Sequence, residues 1–150
     1  MEEKWMKEAI KEAKKAYDKL EIPVGAVIVK DNKIIARAHN LKETKQSAIA
    51  HAEILAIQKA NKKLDNWRLL DCDMYVTLEP CDMCMGAIIS SRIRNLYIGT
   101  LDSKKQIKID INKFKETYGI DIKIGVRQEE CEYILKDFFK CLRKNGEKND

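Results

Sequence analysis

No stretch of the sequence approaches the roughly 20 consecutive apolar residues that a membrane-spanning helix needs. The first turns of the chain carry charge throughout, at Lys4, Lys7, Glu8, Lys11 and Glu12. These absences predict neither a transmembrane segment nor a secretory signal peptide, and they place the protein in the cytoplasm. Nor is there an internal repeat or a linker, so residues 1–150 are expected to form a single domain. The chain has 5 cysteines, and an odd number in a reducing compartment argues against a disulfide framework. Their use is then a matter of metal binding or nucleophilic chemistry, and spacing decides between the two.

What is present is a soluble globular mixture, 45% apolar and 35% charged. A chain of 150 residues buries roughly two-thirds of the surface that its unfolded form exposes, enough for one compact core. The formal net charge of +5 favours an acidic partner such as RNA where lysines and arginines cluster, and means only solubility where they are scattered.

Apolar spacing predicts a first amphipathic helix from Glu2 to Leu20, with Trp5, Met6, Ala9, Ile10, Ala13 and Ala16 on one face. Val24 to Val29 is a short apolar run suited to a strand covered on both faces. Asp31-Asn32 supplies a turn, and Lys33 to Ala38 the returning strand of a hairpin. A second helix is predicted from Ser47 to about Lys63, with His51 and Glu53 in its opening turns. Met74 to Leu78 is β-prone and stops at Glu79-Pro80, because proline cannot donate to a ladder and restricts the residue before it. A helix follows over Asp82 to Ser90, then strands over Arg94 to Gly99 and Asp121 to Val126. The last helix is predicted over Glu129 to Leu142, and the tail from Lys144 is expected to be disordered. The charged stretch from Leu101 to Tyr118 carries no clear pattern. Alternating helices and strands imply an α/β sheet with helices on both faces.

His51, Cys81 and Cys84 are the residues that point to chemistry. Two cysteines spaced Cys-x-x-Cys at a helix start can grip one ion, and the helix N-terminus favours their thiolate form. Zinc prefers thiolate and imidazole, and a catalytic zinc keeps three protein ligands and an open position. His39 or Cys72 as a fourth ligand is the alternative, which would close the site and leave Glu53 idle. On a common helix Glu53 would point about 200° away from His51, so it is not read as a ligand. It reads instead as a general acid–base beside the activated water, or alone as a solvated first-turn acid.

The motifs His51-Ala52-Glu53 and Pro80-Cys81-Asp82-Met83-Cys84 resemble the H-x-E and P-C-x-x-C signature of zinc-dependent nucleobase deaminases, the cytidine and deoxycytidylate deaminase superfamily. Within it the chain is similar to bacterial tRNA adenosine deaminases, through runs that include Ile22 to Val27, Ala38-His39-Asn40, Tyr75 to Cys81, Ser91-Arg92-Ile93 and Asp137-Phe138-Phe139. The resemblance implies a cytidine deaminase-like fold, a three-layer α/β/α sandwich around a mixed sheet of about five strands. It implies one Zn2+ per subunit on His51, Cys81 and Cys84, with Glu53 catalytic. It also implies that Asn40 hydrogen-bonds the base or sugar, that Ala52 offers its backbone N–H to the base, and that Glu79 and Asp102 lie at the substrate site. An amide suits a purine edge, while the plainer reading of Asn40 is a turn residue closing the hairpin. Family members pair as homodimers and convert the wobble adenosine of a tRNA anticodon loop to inosine, releasing ammonia.

Two segments depart from that family. Ser47-Ala48-Ile49-Ala50 stands where it has Asp-Pro-Thr-Ala, and Ser103 to Lys108 replaces a Lys-x-Gly-Ala-x-Gly-Ser loop after Asp102. The second change keeps open a deaminase of a free nucleobase or nucleoside, such as guanine or cytosine. A non-catalytic zinc-stabilised RNA-binding module is the remaining alternative, and the retained Glu53 argues against it. Lys104 or Lys105 is a candidate phosphate contact. Phe138, Phe139, Lys140, Arg143 and Lys144 are candidates for stacking and phosphate contact on the last helix, against the plainer reading of core-packed phenylalanine with solvated lysines.

Overall fold

The apolar stripe of the first helix, α1 (Glu2–Asp18), buries Trp5, Met6, Ala9, Ile10, Ala13 and Ala16. The computed structural model describes residues 1–149, with side chains as far as Gly146. A hairpin follows, β1 (Gly25–Lys30) and β2 (Lys33–His39), joined by Asp31 and Asn32 with φ of 50° and 60°. Positive φ at both positions gives the turn the hand that matches strand twist. The remaining strands are β3 (Asp73–Leu78), β4 (Asn95–Thr100) and β5 (Asp121–Ile124).

The five strands form one sheet in the order β2-β1-β3-β4-β5. β1 runs antiparallel to β2 and β3, while β3, β4 and β5 run parallel. Alternation along each strand splits the core in two. Val27, Val29 and Tyr75 pack with Trp5, Met6 and Ile10 of α1 and with Cys131 of α6 (Gln128–Asn149). Ala26, Ile28, Met74, Val76, Leu96 and Ile98 pack on the other side with α3 (Ala52–Leu64) and α4 (Asp82–Ser90). This is the predicted α/β architecture, helices on both faces of a mixed five-stranded sheet.

Several boundaries differ from expectation. The helix predicted from Ser47 begins at Ala52, with His51 as its N-cap in an extended conformation at φ −81° and ψ 152°. A short helix, α2 (Lys42–Lys45), precedes it and ends at Gln46 in the left-handed region, φ 49°. Between Ser47 and His51 the predicted helix gives way to tight turns, with Ala50 N donating to the Ser47 carbonyl at 3.2 Å and His51 N to the Ile49 carbonyl at 2.8 Å. The stretch that carried no pattern contains α5 (Ile111–Tyr118), which Asp110 caps by accepting a bond from Lys113 N at 3.1 Å, and which ends on Gly119 with φ 72°. α6 continues to Asn149, so the disordered tail expected from Lys144 is corrected as far as that residue. Lysine, arginine and glutamate favour helix, and Gly146 alone costs only about 1 kcal/mol. Asp150 lies outside the described residues.

Two buried features hold the hairpin and the following loop in place. A Cβ at Gly25 would stand 2.0 Å from the carbonyl oxygen of Ala9 and 2.5 Å from Ala13 N, so α1 crosses β1 at a distance only glycine allows. Glu21, 1% exposed, accepts bonds from the backbone N–H groups of Glu43 at 3.0 Å and Thr44 at 2.6 Å. Burial raises the pKa of Glu21, and the bonds from Thr44 and Glu43 outweigh it, leaving the carboxyl below its ordinary 4.5.

Gly25→Ala is expected to destabilise the fold by roughly 1–3 kcal/mol or more, because backbone must move to admit the methyl group; chemical denaturation measures it. For Glu21, a lowered folded pKa means stability that is full above the unfolded value and is lost as pH falls through the folded one. The difference in unfolding free energy between the natural protein and Glu21→Gln should therefore be constant above about pH 5.5 and shrink below about pH 4.5. A difference that did not change with pH would show that the carboxylate form of Glu21 contributes nothing.

Candidate active site

Two helices start side by side at the end of the sheet where β3 and β4 finish. His51 is the N-cap of α3 and Cys81 the N-cap of α4, with Cys84 in the first turn of α4. Pro80 ends β3 and leaves the chain extended into Cys81, whose carbonyl accepts the bond from Met85 N at 2.9 Å. The outcome is that His51 Nδ1 lies 3.7 Å from Cys81 Sγ and 3.6 Å from Cys84 Sγ. All three donor atoms fall within 4.8 Å of one another.

These distances suit a tetrahedral metal. With bonds of about 2.3 Å to sulfur and about 2.0–2.1 Å to nitrogen, the N···S edge of a zinc tetrahedron comes to roughly 3.5–3.6 Å. His51 is kept neutral, since burial and then the charge of Lys42 lower its pKa, and a neutral imidazole is the ligating form. Burial pushes the Cys84 thiol far up, with Glu53 and Cys81 adding to it. A cation between the sulfurs reverses that cost, and the N-termini of α3 and α4 assist.

Among the described residues no fourth ligand joins this group. The ring of His39 is held elsewhere, with Nδ1 3.0 Å from Glu12 Oε1 and Nε2 2.9 Å from Lys19 Nζ. Cys72 is buried before β3 and directs Sγ to the carbonyl of Leu70. Cys131 is buried under Gly99, where a Cβ would approach its sulfur to 2.4 Å, and Cys141 is exposed on α6 near the Tyr17 hydroxyl. The three-ligand arrangement is the one that leaves a coordination position open.

Glu53 lies in the first turn of α3 and is 3% exposed. Burial drives its pKa up to about 7, offset in part by its own backbone N–H and by the Cys84 thiol. Because His51 precedes the helix, the helical-wheel angle does not separate the two residues: the imidazole leaves an extended residue while Glu53 leaves the helix, and both reach the same cavity.

That cavity holds about 240 Å³ and is lined by Asn40, His51, Ala52, Glu53, Glu79, Cys81 and Asp102. Of the residues predicted for the site only Cys84 is not on its wall, being fully buried behind it. Asn40 is 8% exposed; its Nδ2 donates to the Ile22 carbonyl at 3.4 Å, and its Oδ1 is buried with no partner. Glu79 accepts a bond from Asp102 N on Oε1 at 3.0 Å. Lys42 and Lys105 also line the cavity. Lys105 was foreseen only as a phosphate contact, and Lys42 was missed; the position of Lys42 two residues after Asn40 was the available signal.

Comparison with known proteins agrees with this geometry. The tRNA-specific adenosine deaminase of Bacillus subtilis (strain 168) is 49% identical over 147 residues, covering 95% of this chain and 91% of that protein. A solved tRNA:A34 deaminase superposes with a TM-score of 0.80 at 38% identity, covering 87% of this chain and 98% of the other. A guanine deaminase from Bacillus subtilis superposes with a TM-score of 0.64 at 29% identity, covering 78% of this chain and 90% of that one. The description of the MafB19-like deaminases matches residues 1–143. With nearly its whole length matched, the chain belongs to the MafB19-like deaminase family.

Proposed function

We propose that this protein is a zinc-dependent tRNA adenosine deaminase that converts the wobble adenosine to inosine. The observation that carries the reading is the tetrahedral spacing of His51, Cys81 and Cys84 beside the buried carboxylate of Glu53. The 49% identity to the Bacillus subtilis enzyme supports the choice of substrate. A cavity of about 240 Å³ falls below the roughly 300–1,000 Å³ of sites for drug-sized ligands, in keeping with a single flipped-out base.

Zinc on His51, Cys81 and Cys84 supplies Lewis-acid activation of water at neutral pH. Glu53 accepts a proton of the attacking water and delivers it to adenine N1 as C6 is attacked; it then carries the remaining proton of the C6 hydroxyl to the exocyclic nitrogen, and the C6–N bond breaks to release ammonia and leave the C6 carbonyl of inosine. Asn40 meets the base or sugar with its unpartnered Oδ1. Ala52, at the first position of α3, offers a backbone N–H. Asp102 and Glu79 complete the wall. One Zn2+ per subunit, a homodimer and a cytoplasmic location complete the proposal, on the strength of the family resemblance. Among the described residues no helix is long and apolar enough to cross a membrane.

Purified protein is expected to carry about one zinc per chain by elemental analysis, and His51→Ala and Cys84→Ala to lose it. Glu53→Gln should retain the metal and lose about 10²–10⁴-fold in kcat/KM, the range of general acid–base catalysis. Mass spectrometry of tRNA after incubation should show inosine at one position, abolished by Glu53→Gln. A second reading, deamination of a free base such as guanine, has the guanine deaminase superposition behind it. It gains if ammonia is released from a free base, undiminished at high salt, while tRNA stays unchanged.

A further inference from the structure

We propose that Lys105 is a positioning residue that sets substrate specificity by clamping the turn 102–105 against the wall of the active-site cavity; the inference rests on the RNA-deaminase reading above. Lys105 belongs to the segment where this chain departs from the tRNA deaminases it resembles, so the contact is built from this chain's own residues.

Glu79 is the anchor. Its backbone N–H donates to the Thr100 carbonyl at 2.8 Å, and its side chain is only 3% exposed. Oε1 accepts the bond from Asp102 N at 3.0 Å. Oε2 is buried without a hydrogen-bond partner, and the charge that faces it is the Lys105 ammonium at 3.4 Å. The same ammonium lies 3.5 Å from the Pro80 carbonyl and 3.6 Å from the exposed carboxylate of Asp82. Within the turn, Lys105 N donates to the Asp102 carbonyl at 3.1 Å and Lys104 N to Asp102 Oδ1 at 3.0 Å. One buried carboxylate therefore holds both ends of the turn, the Asp102 amide by one oxygen and the Lys105 side chain by the other.

A buried carboxylate needs a compensating cation, and the Lys105 ammonium is the one that faces Glu79. Lys105, with Glu79, also lines both the catalytic cavity and a neighbouring groove of about 750 Å³ whose wall includes Met85, Ile89, Ile107 and Phe114. Release of Lys105 would loosen this shared wall and let Asp102 move away from the cavity. The clamp keeps the cavity the size of one base.

The test uses the zinc-loaded protein with Lys105→Met, Lys105→Gln and Lys105→Arg. Hydrogen exchange at the amides of Asp102, Lys104 and Lys105 should quicken about tenfold in Lys105→Met and Lys105→Gln, as expected for loss of a charge-assisted contact, and return towards the natural rate in Lys105→Arg. On an anticodon stem-loop, KM should rise several-fold with a smaller fall in kcat, and the slope of log(kcat/KM) against log salt should stay unchanged. Unchanged exchange in both neutral variants would overturn the clamp. A salt slope reduced by about one would also overturn it, by making Lys105 a direct phosphate contact. If the natural protein leaves RNA untouched, the substrate reading fails, while the exchange rates still decide whether the clamp exists.

Discussion

His51 Nδ1 meets the sulfurs of Cys81 and Cys84, 30 and 33 residues further along the chain, because α3 and α4 begin at the same end of the sheet. α4 can start there only because Pro80 ends β3, and α3 only because His51 stays extended before the helix takes over at Ala52. Both N-termini point positive dipole ends at the site, which favours thiolate, whereas burial of Cys84 opposes it strongly. A cation held by His51, Cys81 and Cys84 would resolve that conflict. Glu53 inherits its place from the same helix start, in the first turn of α3 and cut off from solvent.

Around this centre the other parts are supports. Gly25 lets α1 press on β1, which fixes the hairpin that ends at Asn40. Glu21 ties the chain before β1 to α2, where Lys42 faces the cavity. Glu79 links the end of β3 to the turn after β4 through Asp102 and Lys105. In an open sheet with parallel strands, ligands bind beyond the carboxyl ends of those strands, and the cavity sits there, beyond Leu78 and Thr100.

Much of this was legible in the residues. The strand runs, the Asp31-Asn32 turn and α4 stand where their patterns put them, since local spacing and turn chemistry agree with the tertiary packing there. The donor set was legible because Cys-x-x-Cys at a helix start and an upstream His-x-Glu carry their own chemistry. The start of α3 was not: Ala48, Ile49 and Ala50 prolong the apolar pattern backwards, and nothing local announces the turns over residues 47–51 that replace its first part. α5 hid in a lysine-rich stretch, although Asp110 and Gly119 are caps that sequence inspection can find. The pairing of Lys105 with Glu79 depends on the fold of the turn between them, which no periodicity encodes. Phe138 shows the plainer reading winning, since it is buried with its ring 5.5 Å edge-on to Tyr17, whereas Phe139 carries Lys104 Nζ 4.7 Å above its ring.

The central claim is that three protein atoms, and not four, hold a catalytic zinc. X-ray absorption at the zinc edge of the purified protein addresses it directly. The account predicts four-coordinate zinc with two sulfurs at about 2.3 Å, one imidazole nitrogen at about 2.0 Å and one light atom from solvent, the last exchanging when a ligand enters the cavity. A shell closed by four protein donors, or one without sulfur, would contradict it.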